Sequence, residues 1–186
     1  MNYIIFDLEL NSKPFKSKIP NEIIEIGAVK LNEDLEIVDR FQAFIKPKYF
    51  PRLFSRIKKK TNIKQIDINN AKSFKLILKS FKDWLGEDYM LCSWGYDDYY
   101  HIKTNCKLHN IKSSWIHEFL DIQKQFSKIN KLEKGKTASL SNALTLCDIE
   151  IEDTNMHRAD IDAEYTCKIF IHLFEKLDFS SISIKK

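Results

Sequence analysis

The sequence predicts one α/β domain in which short apolar strands alternate with amphipathic helices. The chain has 186 residues, of which 44% are hydrophobic, and this is enough for one core that buries roughly 70% of the unfolded surface. Only four glycines and four prolines occur, and no stretch resembles a linker or a repeat. We therefore expect a single domain over residues 1–177 and a short C-terminal tail over residues 178–186.

The predicted strands come mainly from the first half of the chain. Residues 3–6 form a continuous apolar run, which is typical of a strand buried on both sides in the middle of a sheet. Residues 22–31 and 36–45 also have strand character, and the short polar turn between them predicts an antiparallel hairpin. Two further strands are predicted over residues 89–93 and 114–122.

The predicted helices rest on apolar residues that recur every three or four positions. Five helices are predicted: one over residues 71–85, one that begins near residue 98, two short ones over residues 123–129 and 139–146, and one from residue 158 to about residue 177. We assign no helix or strand to the basic and polar stretch of residues 46–70.

Two carboxylates, Asp7 and Glu9, end the first strand at a spacing of two residues. In a strand this spacing places both side chains on the same face of the sheet. Two like charges a few Å apart repel each other, and burying either one costs several kcal/mol unless a cation or a proton compensates. The pair is therefore either a site that binds a cation or a strand end that frays into solvent.

Two further acids stand at the first core-facing position of a predicted helix. Asp98 precedes Ile102 by four residues, and Asp162 precedes Thr166 by four residues. Each acid thus continues the apolar stripe of its helix and is expected to point inward. The alternative for the first helix is that Asp97 or Asp98 caps its N terminus, which is common for an isolated acid.

All four acids are expected to converge. In an open α/β sheet, sites form in the crevice where strands end and the following helices begin. Clustered carboxylates repel one another unless they bind hard cations such as Mg²⁺ or Mn²⁺. Two such ions about 3.5–4 Å apart form the clamp that cleaves phosphodiesters. His157, just before the last helix, is either a surface residue or the base that removes a proton from the attacking water.

Four segments, in chain order, resemble the motifs of the DEDDh 3′–5′ exonucleases. They are Phe6-Asp7-Leu8-Glu9, Glu22-Ile23-Ile24-Glu25-Ile26-Gly27-Ala28-Val29, Trp94-Gly95-Tyr96-Asp97-Asp98 and His157-Arg158-Ala159-Asp160-Ile161-Asp162-Ala163. The chain is most similar to the subgroup that trims small RNAs and histone messages, with its bacterial relatives. Residues 61–67 resemble the family segment LTxIxQxDI, although Lys60 replaces its Leu and Asn62 replaces its Gly. The resemblance covers residues 1–174.

The resemblance implies a ribonuclease H-like fold, with a mixed five-stranded sheet whose second strand is antiparallel and with helices on both faces. It implies an enzyme that releases 5′-mononucleotides from the 3′ end of single-stranded nucleic acid, with RNA favoured over DNA. Two Mg²⁺ ions, which Mn²⁺ can replace, are the implied cofactors. The implied metal ligands are Asp7, Glu9, Asp98 and Asp162, and His157 is the implied general base.

Two rival functions stay open on the same fold: a proofreading subunit beside a DNA polymerase, and a catalytically idle module that binds nucleic acid. The presence of all five expected residues argues against the idle module. Spacing within the family motifs selects Asp98 rather than Asp97, and Asp162 rather than Asp160, as metal ligands.

Further residues are expected to contact the substrate. Leu10 and Asn11 follow the acidic strand end and are expected to border the terminal nucleotide. The segment of residues 46–64 has eight basic residues, no acid and three aromatic residues, so it either tracks a phosphate backbone or is a solvated loop. Within this segment we assign substrate contacts to Lys58, Lys59 and Lys60.

The remaining features of the sequence indicate a cytosolic protein without a membrane partner. Its four cysteines lie far apart with no Cys-x-x-Cys pair, so we interpret them as reduced thiols. The first apolar run has no basic region before it and is interrupted by Asp7, so it does not resemble a signal peptide. No uninterrupted apolar segment approaches the ~20 residues that a transmembrane helix needs. The sequence indicates no particular protein partner.

Overall fold

A six-stranded mixed sheet lies at the centre of the computed structural model, which describes residues 1–133, 135–151 and 157–181. Its strands are β1 (Asn2–Asn11), β2 (Glu22–Leu31), β3 (Ile37–Lys46), β4 (Lys72–Ser73), β5 (Tyr89–Ser93) and β6 (Phe119–Asp121). Across the sheet they follow the order β4-β3-β2-β1-β5-β6. β2 is antiparallel to β1 and β3, whereas β5 is parallel to β1 and β6. β1 is therefore an inner strand, as its apolar run predicts.

Seven α-helices surround the sheet in the described part of the chain. They are α1 (Ser55–Thr61), α2 (Gln65–Asn70), α3 (Phe74–Leu85), α4 (Asp97–Leu108), α5 (Ile122–Ile129), α6 (Leu140–Leu146) and α7 (Ala159–Leu173). Short 3₁₀ turns, Phe174–Lys176 and Phe179–Ser181, follow α7. Among the described helices, none has the length and apolar character that crossing a bilayer requires.

The alternation of side chains along β1 builds a core on each face of the sheet. Ile4 and Phe6 pack with α3 and α4 on one face, and Ile5 packs with α5, α6 and α7 on the other. A smaller core lies beside α1, where Ile24 of β2 meets Ile57. The mixed sheet, its antiparallel second strand and the helices on both faces agree with the prediction.

The sheet differs from the prediction at both of its edges. Five strands were predicted, and the sixth is the two-residue strand Lys72–Ser73, which pairs with the end of β3. The strand predicted over residues 114–122 is only three residues long, because only Phe119–Asp121 pair with β5. Trp115 and Ile116, which made the prediction too long, are buried in the core outside the ladder.

Two helices lie where no element was predicted. α1 and α2 occupy part of the basic and polar stretch of residues 46–70. Their buried stripes are short, with Ile57 and Thr61 in α1 and Ile68 in α2. So few buried positions give no repeated helical spacing that the sequence could display. The last helix is shorter than predicted: α7 stops at Leu173, and residues 174–176 form a 3₁₀ turn.

The four cysteines are free thiols, which agrees with their interpretation from sequence. Cys92, Cys106 and Cys167 are buried, and Cys147 is half-buried. Burial raises the pKa of Cys106 to about 11, so its thiol stays protonated at neutral pH.

Candidate active site

β1 carries Asp7 and Glu9, two of the predicted acids, towards α7. In the antiparallel ladder they lie opposite Gly27 and Glu25 of β2. β1 does not end at the acids, because beyond a bulge after Glu9 it stays paired with β2 as far as Asn11. Only 6% of Glu9 is exposed. The alternative of a strand end that frays into solvent therefore does not describe this acid.

The first turn of α7 brings Asp162 to Glu9. One possible ligand atom from each of Glu9, His157 and Asp162 lies within 4.8 Å of the other two. Asp162 is 9% exposed, whereas the side chain of Asp160 is 42% exposed and lies near Arg158. Of the two neighbouring acids, Asp162 is the one that faces Glu9.

The N-terminal turn of α4 adds Asp98. Its carboxyl is half-buried, accepts a hydrogen bond from the backbone N–H of Leu8, and feels the charges of Asp7 and Glu9. The neighbouring Asp97 is exposed. The structure thus brings the four predicted carboxylates together, and we call Asp7, Glu9, Asp98 and Asp162 the four-acid cluster.

Burial raises the pKa of every carboxyl in the four-acid cluster, and repulsion within the cluster adds to the shift at Asp7, Glu9 and Asp98. Removal from water is the largest cause at Asp7 and Asp98, whose pKa values lie well above the ordinary range, and the two acids also repel each other. Burial raises the pKa of Glu9 from 4.5 to about 8 and also raises that of Asp162. Lys60 opposes these shifts at Asp7, Glu9 and Asp162 without cancelling them. Divalent cations fit such a cluster, because they bind carboxylate oxygens and remove the repulsion.

His157 lies at the rim of the four-acid cluster and is exposed. Its backbone has a φ of 78°, which is uncommon for a residue other than glycine. Its backbone N–H donates a hydrogen bond to Oδ1 of Asp162 at 3.3 Å, and this bond holds His157 against the start of α7. An exposed imidazole beside buried carboxylates can exchange protons with solvent.

Glu25 is a fully buried acid on β2 to which the sequence prediction gave no role. Arg158 grips its carboxylate with two nitrogens, Nη2 to Oε1 at 2.7 Å and Nε to Oε2 at 3.1 Å. The backbone N–H of Ala159 and the Nε2 of Gln42 donate to the same carboxylate at 3.2 and 2.7 Å. These bonds fix the first turn of α7 on the sheet, and with it Asp162. A charged residue within the apolar run of residues 23–29 was the available signal in the sequence.

Gly27 of β2 lets α7 approach the sheet closely. A Cβ on Gly27 would lie 2.1 Å from both the backbone C of Ala159 and the backbone N of Asp160. Atoms in a close-packed interior cannot approach so closely, so a side chain here would push the start of α7 away. Gly27 therefore determines how near Asp162 comes to β1.

The lysines predicted to contact substrate fall into two groups. Lys60 lies beside the four-acid cluster and lines a cleft of about 200 Å³ together with Leu10 and Arg56. Lys58 and Lys59 are exposed on the same helix and are not among the residues that line this cleft. The structure therefore separates Lys60 from its two neighbours.

Asn11 is buried, and its side chain holds a loop in place. Its Nδ2 donates to the backbone oxygens of Phe50 and Arg52 at 2.9 and 3.0 Å, and its Oδ1 accepts from the backbone N–H of Phe54 at 3.1 Å. Both amide hydrogens are thus used within the protein. The predicted contact of Asn11 with the terminal nucleotide would rest on its backbone or on the loop that it holds.

Comparison with known proteins gives a family match and distant relatives. The family profile RNase_T, described as Exonuclease, matches residues 4–170. A DNA polymerase III PolC-type from Staphylococcus saprophyticus is 30% identical over 176 residues, which are 95% of this chain and 12% of that protein. The 3′-5′ exoribonuclease 1 of Rattus norvegicus is 30% identical over 129 residues, which are 63% of this chain and 37% of that protein. The chain thus spans a minor part of the length of these relatives.

A solved structure with a similar fold is the nuclease domain of 3′hExo, a DEDDh family member bound to rAMP. It aligns with a TM-score of 0.86 and 24% sequence identity, over 100% of this chain and 97% of that one. At this level of identity the likeness is one of fold. The predicted ribonuclease H-like fold is confirmed.

Proposed function

Because the chain belongs to the RNase_T family of DEDDh 3′–5′ exonucleases, which are metal-dependent phosphodiester hydrolases, we propose that it is an exonuclease acting on single strands. It removes 5′-mononucleotides one at a time from the 3′ end. The observation that carries the proposal is the four-acid cluster, assembled from β1, α4 and α7, with His157 at its rim.

The proposed cofactors are two Mg²⁺ ions, which Mn²⁺ can replace, held by Asp7, Glu9, Asp98 and Asp162. Carboxylate oxygens are the donors that both metals prefer. When bound, the ions supply Lewis-acid stabilisation of the charge on the scissile phosphate and promote ionisation of the attacking water. The raised pKa values of the acids support this role, since burial and, second to it, the neighbouring carboxylates disfavour their charged forms, and a bound cation would stabilise those forms.

In this proposal, His157 is the general base. A ring nitrogen accepts a proton from water as the water oxygen bonds to phosphorus, and the 3′ oxygen of the preceding nucleotide leaves with the bonding electrons. Asp162 keeps the imidazole at the rim by accepting the hydrogen bond from the His157 backbone. The exposure of the ring lets it return the proton to solvent. Lys60, beside the same carboxylates, would contact a phosphate oxygen of the substrate.

We propose RNA as the preferred strand, and proofreading of DNA is the second candidate function. Resemblance of the sequence motifs to the RNA-trimming subgroup supports the first. Similarity to a PolC-type DNA polymerase over 95% of the chain supports the second. The choice depends on contacts with the 2′-hydroxyl of the substrate.

We also propose that residues 1–177 are the catalytic domain and that the protein acts in the cytosol. The free state of its four cysteines supports a reducing compartment. Its proposed partners are the 3′ ends of single-stranded RNA or DNA.

The test is digestion of matched 5′-labelled single-stranded RNA and DNA, with Mg²⁺, with Mn²⁺ and with chelator. We expect a ladder that shortens from the 3′ end, requires the metal and is slowed roughly a hundredfold or more in His157→Ala. His172→Ala, an exposed histidine later on α7, is the matched control and should keep the wild-type rate. The ratio of RNA and DNA rates decides the preferred sugar, and selective removal of a mismatched DNA 3′ end would favour proofreading.

The opposite result is binding of both strands without turnover in either metal. With circular dichroism showing a folded protein, that result would contradict the proposed activity and support the idle binding module.

A further inference from the structure

A second cleft, of about 470 Å³, lies away from the four-acid cluster. We call it the basic cleft and define it by three lysines, Lys46, Lys48 and Lys75, together with Phe74 and His109. Within the described part of the chain, none of its lining residues is acidic. Its volume lies within the range of ligand sites that hold small molecules or one unit of a polymer.

The basic cleft combines one half-buried ring, that of His109, with cations, and both kinds of group can contact a nucleotide. The imidazole of His109 stacks on the ring of Phe74, with centroids 4.9 Å apart and an angle of 23° between the planes. The charges of Lys48 and Lys75 act on His109, so both ammonium groups lie near these rings. Phe74 is only 2% exposed and supports the ring of His109 from the core side, so the half-buried imidazole is the ring that a base could stack on. Ammonium groups pair with phosphates.

Not every charged group around the basic cleft is equally available. Lys46 donates a hydrogen bond from Nζ to the backbone oxygen of Asn69 at 3.2 Å. Glu22 lies near His109, but it is only 2% exposed. Its carboxylate is occupied, because it accepts hydrogen bonds from the backbone N–H groups of Lys48, Tyr49 and Phe50. Lys48 and Lys75 are thus the cations best placed for an external phosphate.

The basic cleft is rigidly connected to the active site. Asn11 and Glu22 are partners in the β1–β2 ladder, two residues beyond Glu9. Glu22 holds Lys48, while Asn11 holds Phe50 and the residues after it. The loop between β3 and α1 is therefore fixed at two points. It lines the basic cleft through Pro47, Lys48 and Pro51, and the helix α1 that follows it lines the cleft beside Glu9 through Arg56 and Lys60.

The helix α4 gives the distance between the two sites. Asp98 lies in its first turn and His109 caps its C terminus. Eleven residues at 1.5 Å each separate them by roughly 17 Å. A stacked strand advances 3.4 Å per nucleotide, so about five nucleotides span this distance.

We propose that the basic cleft binds the phosphodiester backbone of the substrate strand about five nucleotides upstream of its 3′ end. The proposal rests on the proposed function, and it adds a dependence on strand length that the four-acid cluster alone does not produce. A strand of three nucleotides reaches only the active site, whereas a strand of twelve occupies both sites.

The test compares Lys48→Ala/Lys75→Ala with the control Lys82→Ala/Lys112→Ala, which removes two exposed lysines outside the basic cleft. For a twelve-nucleotide strand we expect KM to rise roughly tenfold in the first variant, with kcat unchanged. For a three-nucleotide strand both variants should match the wild type. We also measure how the affinity for the longer strand, in chelator, falls with salt. The slope of log affinity against log salt concentration should be smaller in magnitude by about 1.4 in the first variant only, because two phosphate contacts are lost.

Three results would overturn the proposal. One is equal binding of the twelve-nucleotide strand by the two double variants in chelator. Another is an equal loss for the short and long strands, which would place the lysines at the active site. The third is that the wild type binds 5′-AMP and Lys48→Ala/Lys75→Ala does not, while both proteins bind the long strand equally. That result would indicate a site for free nucleotides. The wild-type rate on the three-nucleotide strand tests the proposed activity separately, and the binding measurement needs no turnover.

Discussion

Single residues of the four-acid cluster carry charges that the fold neutralises only in part. Among the described residues, the charge of Lys60 reaches Asp7, Glu9 and Asp162, and Arg158, whose charge reaches Glu9, is committed to Glu25. Protons compensate the remaining repulsion in the absence of metal, since burial and like charges stabilise the neutral acids. Binding of metal should therefore release protons.

The metal-free protein should lose stability as the pH rises from about 4.5 to about 8. Glu9 has its ordinary pKa of 4.5 in the unfolded chain and a pKa of about 8 in the folded protein, so the folded state binds more protons in this window. The free energy of unfolding then falls with rising pH, by a few kcal/mol from Glu9, and the contribution of Glu9 is fully lost above its folded pKa. Saturating Mg²⁺ should flatten the trend. Thermal denaturation from pH 5 to pH 9, with chelator and with Mg²⁺, measures the pH dependence of stability and the effect of the metal on it. Stability that rises with pH in chelator would contradict the prediction.

Lys60 should matter more for cleavage than the other lysines of α1. Lys60→Ala removes the cation beside the four-acid cluster, and we expect kcat/KM to fall roughly tenfold because a charge-assisted contact with phosphate is lost. Lys58→Ala, an exposed neighbour on the same helix, is the matched control and should stay within a factor of about two. Initial cleavage rates of the two variants and the wild type, on one labelled strand at fixed salt, measure this difference. Equal losses in both variants would assign Lys60 to a general electrostatic role.

The sequence predicts residues of the site when they interrupt an apolar pattern. Asp98 and Asp162 are recognisable because each stands at the head of a helical stripe. The pairing of Glu25 with Arg158 is not recognisable in the same way, since the two residues are 133 positions apart and no local period relates them. Asn11 is similar, because its partners lie in a loop about 40 residues later. Long-range polar contacts of this kind require the folded chain.

At the scale of elements, the packing of α7 on β2 determines the geometry of the site. Gly27→Ala should displace the start of α7, because the new Cβ would meet the backbone at 2.1 Å. We expect a stability loss of about 1–3 kcal/mol from overpacking and a loss of activity of at least tenfold. Chemical denaturation and cleavage rates measure the two effects.

Gly86→Ala is the control for this substitution. Gly86 also has a special backbone, with a φ of 85°, but nothing lies within 4 Å of an added Cβ. We expect a modest loss of stability from the unfavourable backbone conformation and an unchanged kcat. A Gly27→Ala protein with wild-type activity would show that α7 can shift without moving Asp162 out of place.

Two arginines tie α7 to the sheet, and they should contribute unequally. Arg158→Met leaves the buried carboxylate of Glu25 without its ion pair, so we expect a loss of about 3–5 kcal/mol together with lower activity. Arg40→Met removes an exposed pair with Glu164 and should cost less than about 1 kcal/mol. Urea denaturation of both variants tests the difference, and similar losses would show that Glu25 gains little from its partner.

Elements with a marked apolar pattern were predicted at the right place, some with accurate bounds, and short elements without one were missed. β2 and the strand Tyr89–Ser93 agree with the predicted residues. α1 was missed because a seven-residue helix with two buried positions shows no period. The strand at residues 114–122 was predicted too long because apolar residues can be buried without joining a ladder. Pairing partners, rather than burial alone, define a strand.

At the scale of the whole molecule, the sheet places the two ends of β1 in different environments. The end at Glu9 meets α4, α7 and the loop after β3, and it forms the active site. The end at Tyr3 is covered by the last part of the chain, where Phe179 contacts Tyr3 and Phe174 with ring centroids 6.0 and 5.4 Å apart. Stability and catalysis can therefore be changed separately at opposite ends of one strand.

Ending the chain after Leu177 should lower stability without lowering kcat. The deletion removes Phe179, which contacts the rings of Tyr3 and Phe174. It also removes the two hydrogen bonds between Gln125 and the backbone of Asp178, at 3.0 and 3.2 Å. We expect a loss of about 2 kcal/mol, or roughly 4–8 °C in Tm, from one aromatic side chain and its neighbours. Ending the chain after Ser181 is the control, because it keeps these contacts and should keep the Tm. If both truncated proteins melt with the full chain, the domain ends at residue 177 as the sequence predicts; if only the shorter one is destabilised, the domain includes Phe179.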